Sequence, residues 1–216
     1  MAYIVYLSRP KIDMLYEQLG EKDVEYSAEG TFSFKAFMGK IARKFSTKKN
    51  IYQKLERTIE SLDSIGDVFD KEASYITETM PMRWASLKNG MGGTFWIGET
   101  SLGTNISKVL LIGSAKNIHG AKPAKDAPSF SPLNCFMQAY AEEVELNPKF
   151  RRRARTYNEE SMRPLFRDLE DYAKSKYGFS TEYRFLAKTL CKKRYKFADG
   201  TIENLIIASP LYVTKP

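Results

Sequence analysis

The spacing of apolar residues in the N-terminal part of the chain predicts a strand, a helix and a second strand. Residues 3–7, YIVYL, form an uninterrupted β-prone run, which is typical of a strand buried on both faces. A helix is predicted over residues 12–19, because its apolar side chains recur at helical spacing before Gly20. Across residues 30–38 apolar side chains occupy every second position, which predicts a strand with one largely apolar face.

Further along the chain, apolar stripes predict four more helices. The clearest lies at residues 51–65, where apolar side chains fall on one side and charged side chains on the other. Ser131 followed by Pro132 is typical of an N-cap and a first helical residue, so a helix is predicted to begin there. Similar apolar spacing predicts helices over residues 162–173 and 185–190.

The middle of the chain has the pattern of a β-hairpin. Residues 75–87 and 94–99 are two extended segments joined by a glycine-rich turn, and Pro81 indicates an edge or bulge position in the first of them. Residues 108–112 then predict a short buried strand.

The final β-rich segment, residues 204–213, is interrupted by Pro210. Helices and five or six strands that do not strictly alternate predict an α+β fold, with a mixed-sheet α/β fold as the alternative. We therefore expect a single domain over residues 1–216, with a central sheet of five or six strands flanked by helices.

Composition narrows the class of protein. Apolar residues make up 43% of the chain, which excludes the intrinsically disordered class. The N-terminus lacks the features of a secretory signal, and no apolar run reaches the roughly 20 residues of a membrane span. We therefore expect a cytoplasmic protein. The net charge of +8 favours anionic partners, although the more common role of such charge is solubility.

Metal binding is disfavoured by the small number of thiol and imidazole side chains. Cys135 and Cys191 are the two cysteines, they form no Cys-x-x-Cys pair, and His119 is the single histidine. A structural zinc site needs about four such ligands, so no metal is predicted. The sequence indicates neither a cofactor nor an oligomeric state.

The segment VLLIGSAKNIHG has the strongest potential for binding chemistry. A buried strand that ends in Gly113 and Ser114 would deliver backbone N–H groups and a hydroxyl at a sheet edge, where open α/β sheets bind ligands. Lys116 can neutralise an anion, Asn117 can donate and accept hydrogen bonds, and His119 titrates near neutral pH. The spacing matches neither the dinucleotide fingerprint nor the phosphate loop. The alternative is that the glycines only permit turns.

A second position for an anion is the junction between the first strand and the first helix. Ser8 and Lys11 flank this junction, where free backbone amides and the helix dipole favour negative charge. The alternative is that Ser8 only caps the helix and that Lys11 is only solvated.

Two basic runs make nucleic acid an alternative partner. They consist of Arg151, Arg152, Arg153 and Arg155 in the first run, and Lys192, Lys193 and Arg194 in the second. Such patches can hold phosphates if they share one face with the basic residues between positions 40 and 49. If they are scattered over the surface, they are solubilising charge.

An enzyme is the third hypothesis, with His119 as general base and Ser114 or Lys116 assisting. The chain contains no Gly-x-Ser-x-Gly elbow, so hydrolase chemistry is the minority interpretation.

Four motifs resemble those of an uncharacterised bacterial family, a domain of unknown function common in actinobacteria. They are YLSRPKIDML at residues 6–15, MPMRW at 80–84, LIGSAKNIHG at 111–120 and SPLYV at 209–213. The resemblance implies that six residues occupy family motif positions, without assigning an activity to them: Lys11, Arg83, Gly113, Ser114, His119 and Gly120. This chain departs from the family pattern in the lysine-rich residues 41–50 and the basic residues 149–155.

The leading hypothesis from the sequence is a ligand-binding or regulatory domain for a small anionic ligand, with a nucleotide as one candidate. The predicted ligand-binding residues are Ser8, Lys11, Arg83, Gly113, Ser114, Lys116, Asn117 and His119. This hypothesis requires that distant segments bring these groups within about 15 Å, because a pocket of ordinary size spans no more.

Overall fold

The computed structural model describes residues 3–18, 51–62, 64–87, 93–120 and 162–216, together with residues 136, 137, 140 and 142. The chain divides into two compact units. Residues 1–7 and 64–216 form the first, which we call the sheet unit, and residues 8–63 form the second, which we call the helical unit. The prediction of one domain over residues 1–216 stays a prediction, and each unit is described by itself.

The sheet unit contains a mixed sheet of seven strands among its described residues. The strands are β1 (Tyr3–Leu7), β2 (Ile65–Gly66), β3 (Tyr75–Ser86), β4 (Gly93–Leu102), β5 (Asn105–Ser114), β6 (Thr181–Lys196) and β7 (Ile202–Lys215). Strands β3, β4 and β5 form an antiparallel meander, which confirms the predicted hairpin. Strand β5 then pairs with β7 in parallel, so the sheet is mixed.

Five of these strands close into a ring. β6 pairs with β7 along most of its length and also with β3, so the order β3, β4, β5, β7, β6 returns to β3. The expected central sheet is therefore present, but it has seven strands and is curled into a small barrel. Strands β1 and β2 lie outside the ring, paired with β7 and β3 respectively.

Alternation along the strands separates two apolar clusters. On β4, Trp96 points into the ring with Val109, Leu111 and Ile206, whereas neighbouring side chains point outward. The outward cluster packs under helix α3 (Met162–Tyr177). Its members include Phe95, Ile97, Leu110, Phe136, Tyr140, Leu165, Phe166, Leu169 and Tyr172. The predicted helix at 162–173 is thereby confirmed, with its apolar stripe facing the barrel.

The helical unit contains α1 (Arg9–Gln18) and α2 (Ile51–Glu60), which confirm two predicted helices. The second prediction is too long, because Ile65, the last residue of its apolar stripe, belongs to β2. Ile12 and Leu55 are buried. Lys54 forms an ion pair with Asp13, and its ammonium lies 5.5 Å from the centre of the Tyr16 ring. These contacts join the two helices along their polar edges as well as through their apolar faces. The strand predicted over residues 30–38 lies outside the described residues.

The helix predicted over residues 185–190 is wrong, because these residues belong to β6. The pairing of β6 with β7 shifts register between Leu186 and Ala187 and again between Thr189 and Cys191. Such bulges break the two-residue alternation of a strand, so the apolar side chains acquire a spacing that imitates a helix. Hydrogen bonding to strands on both sides decides the outcome in favour of a strand.

Two prolines lie inside strands at positions where few ladder bonds are lost. Pro210 pairs with Ala187 on one side, and on the other side it falls between the end of the β5 pairing at Ala208 and the start of the β1 pairing at Tyr212. Pro81 lies one residue before the β4 pairing begins. The missing N–H of proline is tolerated at such positions, so β7 continues through the predicted interruption.

No helix within the described ranges is both long enough and apolar enough to cross a lipid bilayer.

We predict that Gly98→Ala destabilises the barrel. A Cβ atom on Gly98 would lie 2.4 Å from the carbonyl oxygen of Pro81 and 2.9 Å from Cγ of Met82, so β3 and β4 would have to separate. We expect the free energy of unfolding to fall by about 1–3 kcal/mol, measured by urea denaturation. Ser101→Ala, at an exposed position on the same strand, serves as the control and should change it by less than about 0.5 kcal/mol. Equal stability of the two variants would contradict the close approach.

Candidate functional site

A cavity of about 700 Å³ lies between α3 and the outer face of the barrel. Helix α3 contributes Arg163, Phe166, Arg167 and Glu170 to its wall. These positions are spaced by three, four and seven residues, so they form one stripe along the helix. The stripe borders the apolar face of α3 and places three charged side chains over the sheet.

The strands contribute the opposite wall of the cavity. Arg83 on β3 is paired in register with Ile97 on β4, and two residues further along β4, Glu99 is paired with Lys108 on β5. Side chains two residues apart share one face of a strand, so all four project outward. Glu203 and Leu205 on β7 complete this wall. The cavity is thus lined by four basic side chains, three carboxylates and several apolar groups.

One group of charged side chains on the cavity wall, which we call the Glu203 cluster, consists of Glu203, Lys108, Arg163 and Glu99. Glu203 is buried and accepts hydrogen bonds from Arg163 Nε at 2.7 Å and from Lys108 Nζ at 3.1 Å. Lys108 Nζ also lies 3.5 Å from the carboxylate of Glu99. Burial lowers the pKa of Lys108, but the hydrogen bond to Glu203 and the two carboxylate charges outweigh burial and raise it overall. The ammonium therefore stays charged.

Two aromatic rings hold the Arg163 guanidinium in this cluster. Its central carbon lies 4.2 Å from the centre of the Tyr195 ring and 4.4 Å from the centre of the Phe197 ring. Both distances are within the range of cation–π contacts. Arg163 is thus fixed by its carboxylate partner and by two ring faces.

A second group, which we call the Glu170 cluster, consists of Glu170 and Arg83 on the cavity wall together with Lys174. Glu170 Oε1 lies 3.6 Å from Arg83 Nη1 and 2.9 Å from Lys174 Nζ. Arg167, one helical turn from Arg163, is exposed at the rim. In this cluster two basic groups, Arg83 and Lys174, face one carboxylate, whereas the Glu203 cluster contains two basic groups and two carboxylates.

Each cluster contains a guanidinium nitrogen without a hydrogen-bond partner among the described residues. Arg83 Nε and Arg163 Nη2 are both buried, and neither has a hydrogen-bond partner in the part of the chain that the structure describes. A buried unsatisfied donor is costly, and native proteins usually supply it with a protein group, an ordered water or a ligand. The two arginines of the cavity wall therefore retain donor capacity.

Of the predicted ligand-binding residues, Arg83 is the one found in the described part of the cavity wall. The predicted segment 113–119 lies elsewhere in the sheet unit, against β1. His119 donates its backbone N–H to the carbonyl of Val5 at 2.9 Å, and Ile118 forms a bridge with Tyr6. The structure therefore does not bring Arg83 and this segment together around the cavity.

Gly113 and Asn117 both contact Tyr6. A Cβ atom on Gly113 would lie 2.5 Å from the Tyr6 hydroxyl, and Asn117 Nδ2 donates to that hydroxyl at 3.2 Å. Gly113 lies within β5 and pairs with Thr94 on β4, so it does not form a turn. Its missing side chain instead allows the Tyr6 ring to approach the strand closely. Gly120 has a φ of +79°, so the turn interpretation applies to that glycine.

The remaining predicted residues of this segment differ in exposure. Ser114 Oγ is buried and has no hydrogen-bond partner among the described groups, whereas Lys116 and His119 are exposed. Ser114 is therefore not hydrogen-bonded to His119, as a serine nucleophile activated by this histidine would require. A role of His119 as general base stays a prediction.

Ser8 and Lys11 belong to the helical unit. Ser8 is buried, and its carbonyl accepts the backbone N–H of Ile12 at 3.1 Å, so it begins α1 as a capping residue would. Burial lowers the pKa of Lys11 to about 8, which differs from the solvated lysine of the alternative interpretation.

The basic runs predicted for nucleic acid are described only in part. Arg151, Arg152, Arg153 and Arg155 lie outside the described residues, and the second run lies on β6. There Lys192 donates to the backbone carbonyl of Asp70, and the Lys193 ammonium lies 5.8 Å from the centre of the Tyr195 ring. Arg194 is exposed. A nucleic-acid interface stays a prediction.

Sequence reasoning missed most of the cavity wall, including Lys108, Arg163, Arg167, Glu170 and Glu203. A usable signal was present on α3, where Arg163, Arg167 and Glu170 share a stripe that borders the predicted apolar face. For the strands the signal is one charged residue inside each apolar run. Their convergence depends on the pairing of β5 with β7, which no local pattern encodes.

The profile of a family of unknown function, DUF7019, matches residues 2–215, and the chain belongs to this family. The match confirms membership of a family of unknown function, as the sequence motifs indicated, whereas bacterial origin stays a prediction. No match was found among curated proteins or among solved structures.

We predict that Glu203→Gln destabilises the protein more than Glu99→Gln. Both carboxylates contact Lys108, but the Glu203 side chain is 12% exposed and that of Glu99 is 55% exposed. Loss of the buried charged acceptor should lower the free energy of unfolding by about 1.5–3 kcal/mol, whereas loss of the exposed pair should cost less than about 1 kcal/mol. Urea denaturation of both variants measures the difference. Equal effects would show that Glu203 does not organise the cluster.

We also predict that Lys11 reduces stability in a manner that depends on pH. Its pKa is about 8 in the folded protein and 10.5 in the unfolded chain, so between these values the unfolded chain binds more protons. Stability therefore rises with pH over this range. Lys11→Met should be the more stable form at pH 7, by on the order of 3 kcal/mol, and this advantage should shrink as the pH approaches 10.5.

Urea denaturation of the wild type and of Lys11→Met at pH 7, 8.5 and 10 measures this dependence. Lys116→Met, at an exposed lysine, is the control and should leave stability nearly unchanged at each pH. A stability difference for Lys11→Met that is constant across the three pH values would refute the lowered pKa.

Proposed function

We propose that this member of the DUF7019 family binds a small anionic ligand in the cavity beneath α3. The observation that carries the proposal is the pair of buried donors, Arg83 Nε and Arg163 Nη2, which lack a hydrogen-bond partner among the described residues. A carboxylate or phosphate oxygen is the strongest acceptor for a guanidinium.

The size and lining of the cavity support a small molecule. A volume of about 700 Å³ falls within the range of ligand pockets. Ile97, Phe166 and Leu205 supply apolar surface, and the charged side chains are concentrated in the two clusters. Such a combination of apolar wall and few polar groups is typical of ligand sites.

The charge arrangement supports an anion over a cation. The carboxylate of Glu203 already accepts from two cations, and that of Glu170 faces two others. A ligand cation would have to displace a lysine or arginine from these carboxylates. A ligand anion would instead add acceptors where donors are in excess.

The proposal keeps the ligand class expected from the sequence, including a nucleotide as one candidate, and it keeps Arg83 as a binding residue. It replaces the segment 113–119 with Arg163 and Lys108 as the other cationic groups. Binding of nucleic acid and catalysis by His119 remain alternatives that no contact in the described residues favours.

We expect Arg83→Gln and Arg163→Gln to weaken anion binding. Inorganic phosphate, citrate and AMP are titrated into the full chain by isothermal titration calorimetry. At least one should bind, and its Kd should rise about 10- to 100-fold in each variant, because a hydrogen bond to a charged group contributes about 1.5–3 kcal/mol.

Arg194→Gln is the matched control, since it removes the same charge from an exposed position outside the cavity wall. Its Kd should equal that of the wild type. The proposal fails if all three arginine variants weaken binding equally, or if neither these three anions nor carboxylic acids of different length bind at millimolar concentration.

A further inference from the structure

We propose that the ligand is an elongated dianion, with two anionic groups separated by an apolar body. This inference rests on the proposed function and goes beyond it, because it concerns the spacing of charges in the ligand. The carrying observation is that two guanidinium donors without a hydrogen-bond partner among the described residues belong to two separate clusters on the wall of one cavity.

The distance between the clusters follows from helix geometry. Arg163 belongs to the Glu203 cluster, and Glu170, to which Arg83 is paired, lies seven residues later on α3. At 1.5 Å per residue their Cα atoms are about 10 Å apart along the helix. The strand residues of the two clusters are also offset in the sheet, because Arg83 is paired with Ile97 on β4, whereas Lys108 is paired with Glu99, two residues further along β4.

The surface between the clusters is apolar. Phe166 lies between Arg163 and Glu170 on the helix stripe, and Ile97 and Leu205 lie on the strands below. Each of these side chains is buried in the outer core cluster, so the middle of the cavity offers dispersion contacts and few hydrogen bonds. A small inorganic anion could satisfy one cluster only.

Each cluster is suited to one anionic group. In the Glu203 cluster, Arg163 contacts two aromatic rings and the Glu203 carboxylate, and its Nη2 has no hydrogen-bond partner among the described residues. In the Glu170 cluster, Arg83 lies on a paired strand of the barrel and forms an ion pair with Glu170 at 3.6 Å, and its Nε has no hydrogen-bond partner in the described part of the chain. A ligand with an anionic group at each end would accept hydrogen bonds from both arginines at once.

The test compares three carboxylic acids with the full chain by isothermal titration calorimetry: decanedioate, decanoate and succinate. Decanedioate has the required length and both charges, decanoate has the length with one charge, and succinate has both charges at short separation. We expect decanedioate to bind at least 10-fold more tightly than either of the others. Arg83→Gln and Arg163→Gln should each reduce its affinity to about that of decanoate.

The possible outcomes separate this inference from the proposed function. If decanoate or succinate binds as tightly as decanedioate, the dianion inference is overturned while anion binding stands. If none of the three acids binds but phosphate, citrate or AMP binds in a manner that depends on Arg83 or Arg163, the inference is again overturned alone. If none of the six anions binds, both proposals fail. Arg194→Gln should leave the decanedioate affinity unchanged, and an equal loss in that variant would also overturn the inference.

Discussion

The pairing of β6 with both β3 and β7 is the constraint on which the sheet unit depends. Without it the remaining strands would form an open, twisted sheet with one apolar face unprotected. Closure turns that face inward, where Trp96, Met82 and Phe185 pack in one buried cluster shielded from water. It also leaves the outer surface of β3, β4, β5 and β7 as a continuous curved wall, and α3 packs against this wall.

The cavity arises where that packing is incomplete. One face of α3 packs on the barrel along the whole helix, from Met162 to Ala173, whereas the adjoining stripe presents Arg163, Arg167 and Glu170. The charged side chains of this stripe form ion pairs with residues of the strands, Arg163 with Glu203 and Glu170 with Arg83. Glu203 is the centre of this arrangement, because its single carboxylate engages cations from β5 and from α3.

The local elements of this fold were largely predictable from the sequence. Periodicity located β1, α1, α2, the β3–β4 hairpin, β5 and α3, because each has a clear apolar pattern bounded by glycine, proline or polar residues. It failed at residues 185–190, where bulges in β6 shift the side chains out of alternation. It also read Pro210 as an interruption, although β7 passes from one partner strand to another at that residue. These failures share a cause, since both depend on partners distant in sequence.

The candidate site was less predictable than the fold for the same reason. Glycine and histidine in residues 113–120 drew attention because these residue types often bind ligands, yet Gly113 accommodates the ring of Tyr6. Of the predicted residues, Arg83 is the one that the described cavity wall contains. Lys108 and Glu203 come together because β5 and β7 run in parallel, although nearly a hundred positions separate them. The contact between Lys108 and Glu203 is a property of the topology, so it cannot be predicted from the pattern of either segment alone.

The order of the strands in the ring affects how the chain folds. β6 and β7 form a hairpin that follows the meander of β3, β4 and β5 in the sequence. Both edge strands of the meander pair with this hairpin, β3 with β6 and β5 with β7. While the chain is being synthesised, the meander leaves the ribosome with its inner apolar face open. The fold therefore has a high contact order. We expect closure of the ring by the β6–β7 hairpin to be a slow and cooperative last step of folding.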